Sequence, residues 1–177
     1  MSVVTIPKEV LGFVNVGTYR IAQSMEHMPL LLEQKVLHSK STIKVAIQVR
    51  SKLSNPDDLS EFSIVVFIPS AVDKDSVTIA SGNGEFDSFK RCITWGMEML
   101  PKGESFMVSA KCALDKIFVA SQGAKVLEEL NFPVMLRCRS KDRLGSVRFE
   151  TMEADGHPAT ISSSVVGKSY RIVHRLN

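Results

Sequence analysis

At 177 residues, with 44% hydrophobic and 23% charged side chains, the chain has the composition of one folded domain or two small lobes, which excludes a disordered polymer. A net charge of +3 is too small to imply nucleic-acid binding, but it leaves room for local basic clusters that touch an anionic membrane. No apolar run reaches the roughly 18 residues that span a bilayer, and the start lacks a charged, apolar and small-residue export signal, so the sequence predicts a cytoplasmic protein.

The first apolar segment holds Phe13, Val14, Val16, Tyr19 and Ile21 with Gly12 and Gly17 between them, a short strand with an irregularity. From 22 to 39 two readings stay open. Met25, Met28, Leu30, Leu31 and Leu32 fit a helical stripe, but Pro29 interrupts a helix, and an extended crossing with a short strand near Lys35 to Leu37 suits the residues better. From Thr42 the alternation is clean: Ile43, Val45, Ile47 and Val49 face one way, Lys44, Gln48 and Arg50 the other. Asn55-Pro56-Asp57-Asp58 breaks the pattern, and Phe62 to Ile68 is a continuous β-branched and aromatic run of the kind found in central strands.

Val77 and Ile79 mark another short strand before Gly82-Asn83-Gly84. Ile93, Trp95 and Met97 then alternate with Thr94, Gly96 and Glu98; beyond Leu100-Pro101-Lys102-Gly103, Phe106, Val108, Ala110 and Cys112 alternate with Met107, Ser109 and Lys111. This predicts a long hairpin across a Pro-Gly turn, with Trp95 as its buried structural anchor. Residues 115 to 131 hold the one helical candidate, with Val119, Val126, Leu127 and Leu130; it is short and without an evident cap, so a connecting loop is the other reading.

Val134, Leu136 and Cys138 alternate with Met135, Arg137 and Arg139, and Val147 and Phe149 with Arg148 and Glu150, across a polar turn at Ser140 to Arg143. Tyr170, Ile172, His174 and Leu176 alternate with Arg171, Val173 and Arg175 at the end. Cys92, Cys112 and Cys138 are well separated and each falls in a predicted strand, so they read as reduced packing residues. Roughly eight or nine strands with turn signals between them imply an all-β, antiparallel sandwich.

The order of these motifs resembles the μ-homology domain of clathrin-adaptor medium subunits, stonins and muniscins. Gly12 to Ile21, with Tyr19-Arg20, resembles the family's strand ending in a Tyr-Arg pair; Ser41 to Ser51 resembles its next core strand, and Phe62 to Ser70 its strand closing in Ile-Pro. The stretch from Gly82 through Trp95, Gly103-Glu104-Ser105 and Ala110 resembles its most recognisable segment, and Ser169-Tyr170-Arg171 its closing strand. The resemblance covers nearly the whole chain. It implies an elongated pair of immunoglobulin-like sandwich lobes, with 23–139 as a lobe inserted into a second one made of 1–22 and 140–177. The family's strands before the position of Gly12 are not in this sequence, so the resemblance implies an incomplete second lobe with unpaired sheet edges.

In the medium subunits the resemblance also implies a groove for Tyr-x-x-hydrophobic sorting peptides, partly built by a Trp-x-Arg on the penultimate strand. Those positions fall at Thr160 and Ser162, which supply neither an apolar wall nor a cation. That substitution points to a muniscin-like or otherwise divergent member. The family's lysine-rich lipid patch around the Trp is thinned to Lys90, Arg91 and Lys102, while Arg137, Arg139, Lys141, Arg143 and Arg148 form a denser cluster, the candidate contact to membrane phosphoinositides.

Enzymatic chemistry finds little support. His27, His38, His157 and His174 are scattered, no cysteine pair has zinc-ligand spacing, and Gly82-x-Gly84 lacks the third glycine and the helix of a dinucleotide site. The resemblance therefore implies a non-enzymatic subunit of a vesicle coat or endocytic adaptor in clathrin-dependent transport, peripheral on coated membranes and without a cofactor. Its implied partners are other adaptor or coat subunits, cargo tails or accessory proteins, and an anionic membrane surface, with no nucleic acid. An isolated β-sandwich interaction module with no membrane role is the alternative.

Overall fold

The computed structural model describes residues 28–39, 42–122, 130–141, 153–154, 156–158 and 168–174. The strands expected around residues 13–21 and 147–149 lie outside that set. What it contains is an all-β sandwich. Its elements are β1 (Leu30–Ser39), β2 (Thr42–Ser51), β3 (Leu59–Phe67), β4 (Val72–Ser81), β5 (Gly84–Asp87), β6 (Cys92–Leu100), β7 (Ser105–Leu114), α1 (Lys116–Gln122), β8 (Val134–Ser140), β9 (Glu153–Ala154), β10 (His157–Pro158) and β11 (Lys168–His174). A four-stranded sheet runs β1-β2-β7-β4 and a five-stranded sheet β11-β8-β3-β6-β5, with β9 and β10 forming a separate two-residue ribbon. All of these pairings are antiparallel.

The period of two in the sequence sets which side chains meet between the sheets. Ile43, Val45, Ile47 and Val49 of β2 enter one core cluster with Phe62, Ile64 and Val66 of β3, Ile93 and Trp95 of β6, Val108 and Ala110 of β7, and Val134 and Leu136 of β8. Phe62 and Phe106 meet edge to face across the layers, ring centroids 6.2 Å apart and planes at 85°. A polar tie crosses the sandwich as well: buried Gln34 of β1 donates from Nε2 to the Phe132 carbonyl at 2.7 Å, just before β8 begins.

The hairpin expected between residues 93 and 112 is not formed. β6 pairs with β3 and β5, while β7 pairs with β2 and β4, so the two strands lie in opposite sheets. The turn between them is real: the Glu104 amide donates to the Pro101 carbonyl at 3.1 Å and Gly103 adopts a φ of 80°. It carries the chain across the core instead of folding it back within a sheet. Alternation tells which face of a strand is buried, and both strands do bury the predicted face, but it does not name the ladder partner.

Residues 30–39 form a full ten-residue strand, longer than the short one expected near Lys35. Pro29 sits just ahead of it, where a missing amide costs no ladder bond, and its carbonyl accepts from Lys52 N–H at 3.0 Å and from Asn55 Nδ2 at 2.7 Å. The helix expected within 115–131 is confined, among the described residues, to α1, and it is capped after all: Asp115 Oδ1 accepts from the amides of Ile117 and Phe118. β11, drawn from the span assigned to the second lobe, pairs with β8 from Lys168↔Ser140 to His174↔Val134 and so shares a sheet with β3 and β6. All three cysteines are buried free thiols.

Candidate docking face

β8 is central to the site because its two faces have opposite characters. Val134, Leu136 and Cys138 point into the core, while Arg137 and Arg139 are exposed on the outer surface of the five-stranded sheet. The pairing then adds a residue that the sequence had not joined to the cluster. Arg137 lies directly opposite Arg171 of β11 on one side and Ser63 of β3 on the other. Directly opposed side chains in antiparallel strands have Cβ atoms about 5 Å apart, close enough for like charges to repel.

Neither arginine of this row has a carboxylate partner among the described residues; Arg171 Nε is directed at Met135 Sδ, 3.1 Å away. Arg139 and Lys141, by contrast, are neutralised. Arg139 Nη1 is 2.7 Å from Glu61 Oε1, and Lys141 Nζ is 3.4 Å from Asp57 Oδ2. Glu61 reaches Arg139 from an irregularity in β3, where its own φ is 49° and the register with β8 shifts between Ser60 and Ser63. Arg143 and Arg148 lie outside the described residues. Among the described residues, the uncompensated charge on this face is therefore Arg137 with Arg171. No motif in the sequence pointed to that pair, because the register of β11 against β8 brings it together from 34 residues apart.

Beyond Glu61, Ser60, Phe62, Gly96, Met97 and Glu98 line an open depression of about 530 Å³. Its two carboxylates are Glu98 and the same Glu61 that pairs with Arg139. Trp95 is 1% exposed and belongs to the core, so it offers nothing to this surface. Among the described residues no group of three or more His, Cys, Asp or Glu side chains is arranged to hold a metal ion, and no helix is long and apolar enough to cross a membrane. The chemistry this face offers is anion recognition by paired guanidinium groups, whose planar forks match phosphate or carboxylate oxygens.

No protein-family model matches the chain, and no curated protein matches it. Among solved structures it is similar to the Fcho1 Mu homology domain of Danio rerio with bound Eps15 peptide, at a TM-score of 0.48 and 14% identity over 67% of this chain. The chain spans 40% of that protein's length. It is also similar to the GH20 exo-β-N-acetylglucosaminidase of Vibrio harveyi (TM-score 0.38, 15% identity, 75% of this chain and 17% of that one). A third is the collagen-binding domain of a Staphylococcus aureus adhesin (TM-score 0.36, 11% identity, 82% and 96%). These are distant likenesses of fold, and the site described above rests on the chain's own residues.

Proposed function

We propose that this chain is a non-catalytic docking subunit of the vesicle-coat or endocytic-adaptor kind, acting on the cytosolic side of membranes. The ordered set of sequence motifs that resembles the μ-homology domain supports the reading. The observation that carries the membrane role is the opposed Arg137–Arg171 row, two cations without a carboxylate partner among the described residues on an exposed sheet face. Such a pair is unfavourable by itself and is relieved by an anionic surface. Other coat subunits, cargo tails or accessory endocytic proteins are the protein partners this reading assigns.

The test is sedimentation with phosphatidylcholine vesicles with and without a third of phosphatidylserine. At about 1 kcal/mol for each basic residue near an anionic leaflet, the double substitution R137Q/R171Q is expected to weaken binding to the charged vesicles about 25-fold at low salt. Binding should fade as salt shortens the screening length. Equal binding by the wild-type and doubly substituted chains overturns the assignment.

A further inference from the structure

The outer face of the five-stranded sheet changes character along the strands. One residue pair beyond the Arg137–Arg171 row, Val173 stands opposite Met135, which in turn stands opposite Val65; one pair further along β3 lies Phe67. Val173 is 55% exposed and Phe67 39%. The same end of the sheet carries the turn between β5 and β6, whose tip residue Phe89 is 96% exposed. Single apolar residues on a surface need no account. Here Val173 and Phe67 share one face at the end of the sheet that also carries Phe89, and the row beyond Val173 on that face is an arginine pair.

The tip that presents Phe89 is held firmly. Asp87 Oδ1 accepts from the amides of Phe89 and Lys90 at 3.0 and 2.9 Å. Arg91 Nη2 donates to the carbonyls of Pro69 and Val72 at 2.8 and 2.6 Å, and the Ile68 amide donates back to the Arg91 carbonyl at 2.8 Å. A braced turn that holds an aromatic ring out in water is suited to inserting it elsewhere, since little further ordering is needed on contact.

We propose that this end of the face dips into the interfacial zone of an anionic bilayer, with Phe89, Phe67 and Val173 entering between headgroups while Arg137 and Arg171 hold lipid phosphates. This deepens the membrane-docking reading and rests on it. The spacing fits: side chains on one face of a strand recur every two residues, about 7 Å, so Val173 lies about 7 Å and Phe67 about 13 Å beyond the arginine row. Amphipathic surfaces bury their apolar side about 5–10 Å into the headgroup and acyl boundary, which is the depth of the first apolar row when the arginines sit at phosphate level. A bilayer offers anionic phosphate above and hydrocarbon below at every point, matching both rows at once.

The full chain is tested on the same phosphatidylserine-containing vesicles. F89S is expected to bind about tenfold more weakly. L53S, which removes a leucine that is 77% exposed in the loop between β2 and β3 at the other end of the sandwich, is expected to bind as the wild type does. In F89W the introduced indole should shift its emission to the blue on vesicle addition, against the constant background of buried Trp95. If F89S binds normally or the F89W emission stays put while R137Q/R171Q loses binding, insertion is overturned and anionic docking survives. If F89S and R137Q/R171Q both bind normally, both readings fall. If L53S weakens binding as much as F89S does, the apolar contribution is general adhesion and the assigned end is wrong.

Discussion

Gly84 lies flat against the indole of Trp95: a Cβ built on Gly84 would stand 2.5 Å from Trp95 Nε1 and 2.7 Å from Cδ1. The two residues are also directly paired across β5 and β6. Gly82, with a φ of 80°, approaches the same ring, so Gly82-Asn83-Gly84 covers the indole just where the chain leaves the four-stranded sheet and joins the other. A side chain at Gly84 would have to displace the largest buried residue in the core.

Gly84→Ala is accordingly expected to destabilise the fold by about 1–3 kcal/mol, the usual range for overpacking. Gly96, on β6, is the control, because an added Cβ there meets nothing within 4 Å. Gly96→Ala should be neutral or stabilising by up to about 1 kcal/mol. Urea denaturation of the two variants checks the difference, and equal effects would show that the indole does not occupy the space assigned to it.

Trp95→Ala should cost about 3–5 kcal/mol by denaturant titration, as expected for deleting a large buried aromatic. Trp95→Phe should cost clearly less. Trp95 Nε1 is buried without a hydrogen-bond partner among the described residues, so the phenylalanine loses ring volume but also removes an unsatisfied donor worth about 1–3 kcal/mol. A Phe variant as unstable as the Ala variant would contradict that accounting.

Asn55 is 4% exposed, and its Nδ2 donates to the Pro29 carbonyl at 2.7 Å and to Ser51 Oγ at 3.0 Å, pinning the loop after β2 to the start of β1. Asn55→Ala is expected to lower stability by about 1–3 kcal/mol. Faster amide exchange at Lys52, which donates to the same Pro29 carbonyl, would localise the loss. Protection unchanged at Lys52 would show that the asparagine is not what holds this end together.

Burial pushes the Cys112 thiol up from 9.0 to about 11. The folded state therefore holds this proton more tightly than the unfolded chain, and the associated stability is fully present below pH 9.0 and falls as pH rises from there toward about 11. Stability measured across that window should decline less steeply in Cys112→Ala than in the wild type. Native alkylation at Cys112 should also be slow, since the reactive thiolate is scarce and the sulfur is enclosed.

Side-chain alternation along the chain was enough to assign the all-β class and the buried faces. Ile43 to Val49, Trp95, Val108 to Cys112 and Val134 to Cys138 all follow from a side-chain period of two, which is a local property of the backbone. Which strands pair is a matter of long-range packing. β6 and β7 share a turn yet lie in different sheets, because their inward faces fill one core from opposite sides and long-range ladders with β3 and β2 complete each sheet. The same limit hid the arginine row: outward placement of Arg137 and Arg139 is legible in alternation, but the closeness of Arg171, and the neutralising reach of Glu61 and Asp57, depend on register and on an irregularity in β3, which no local pattern encodes.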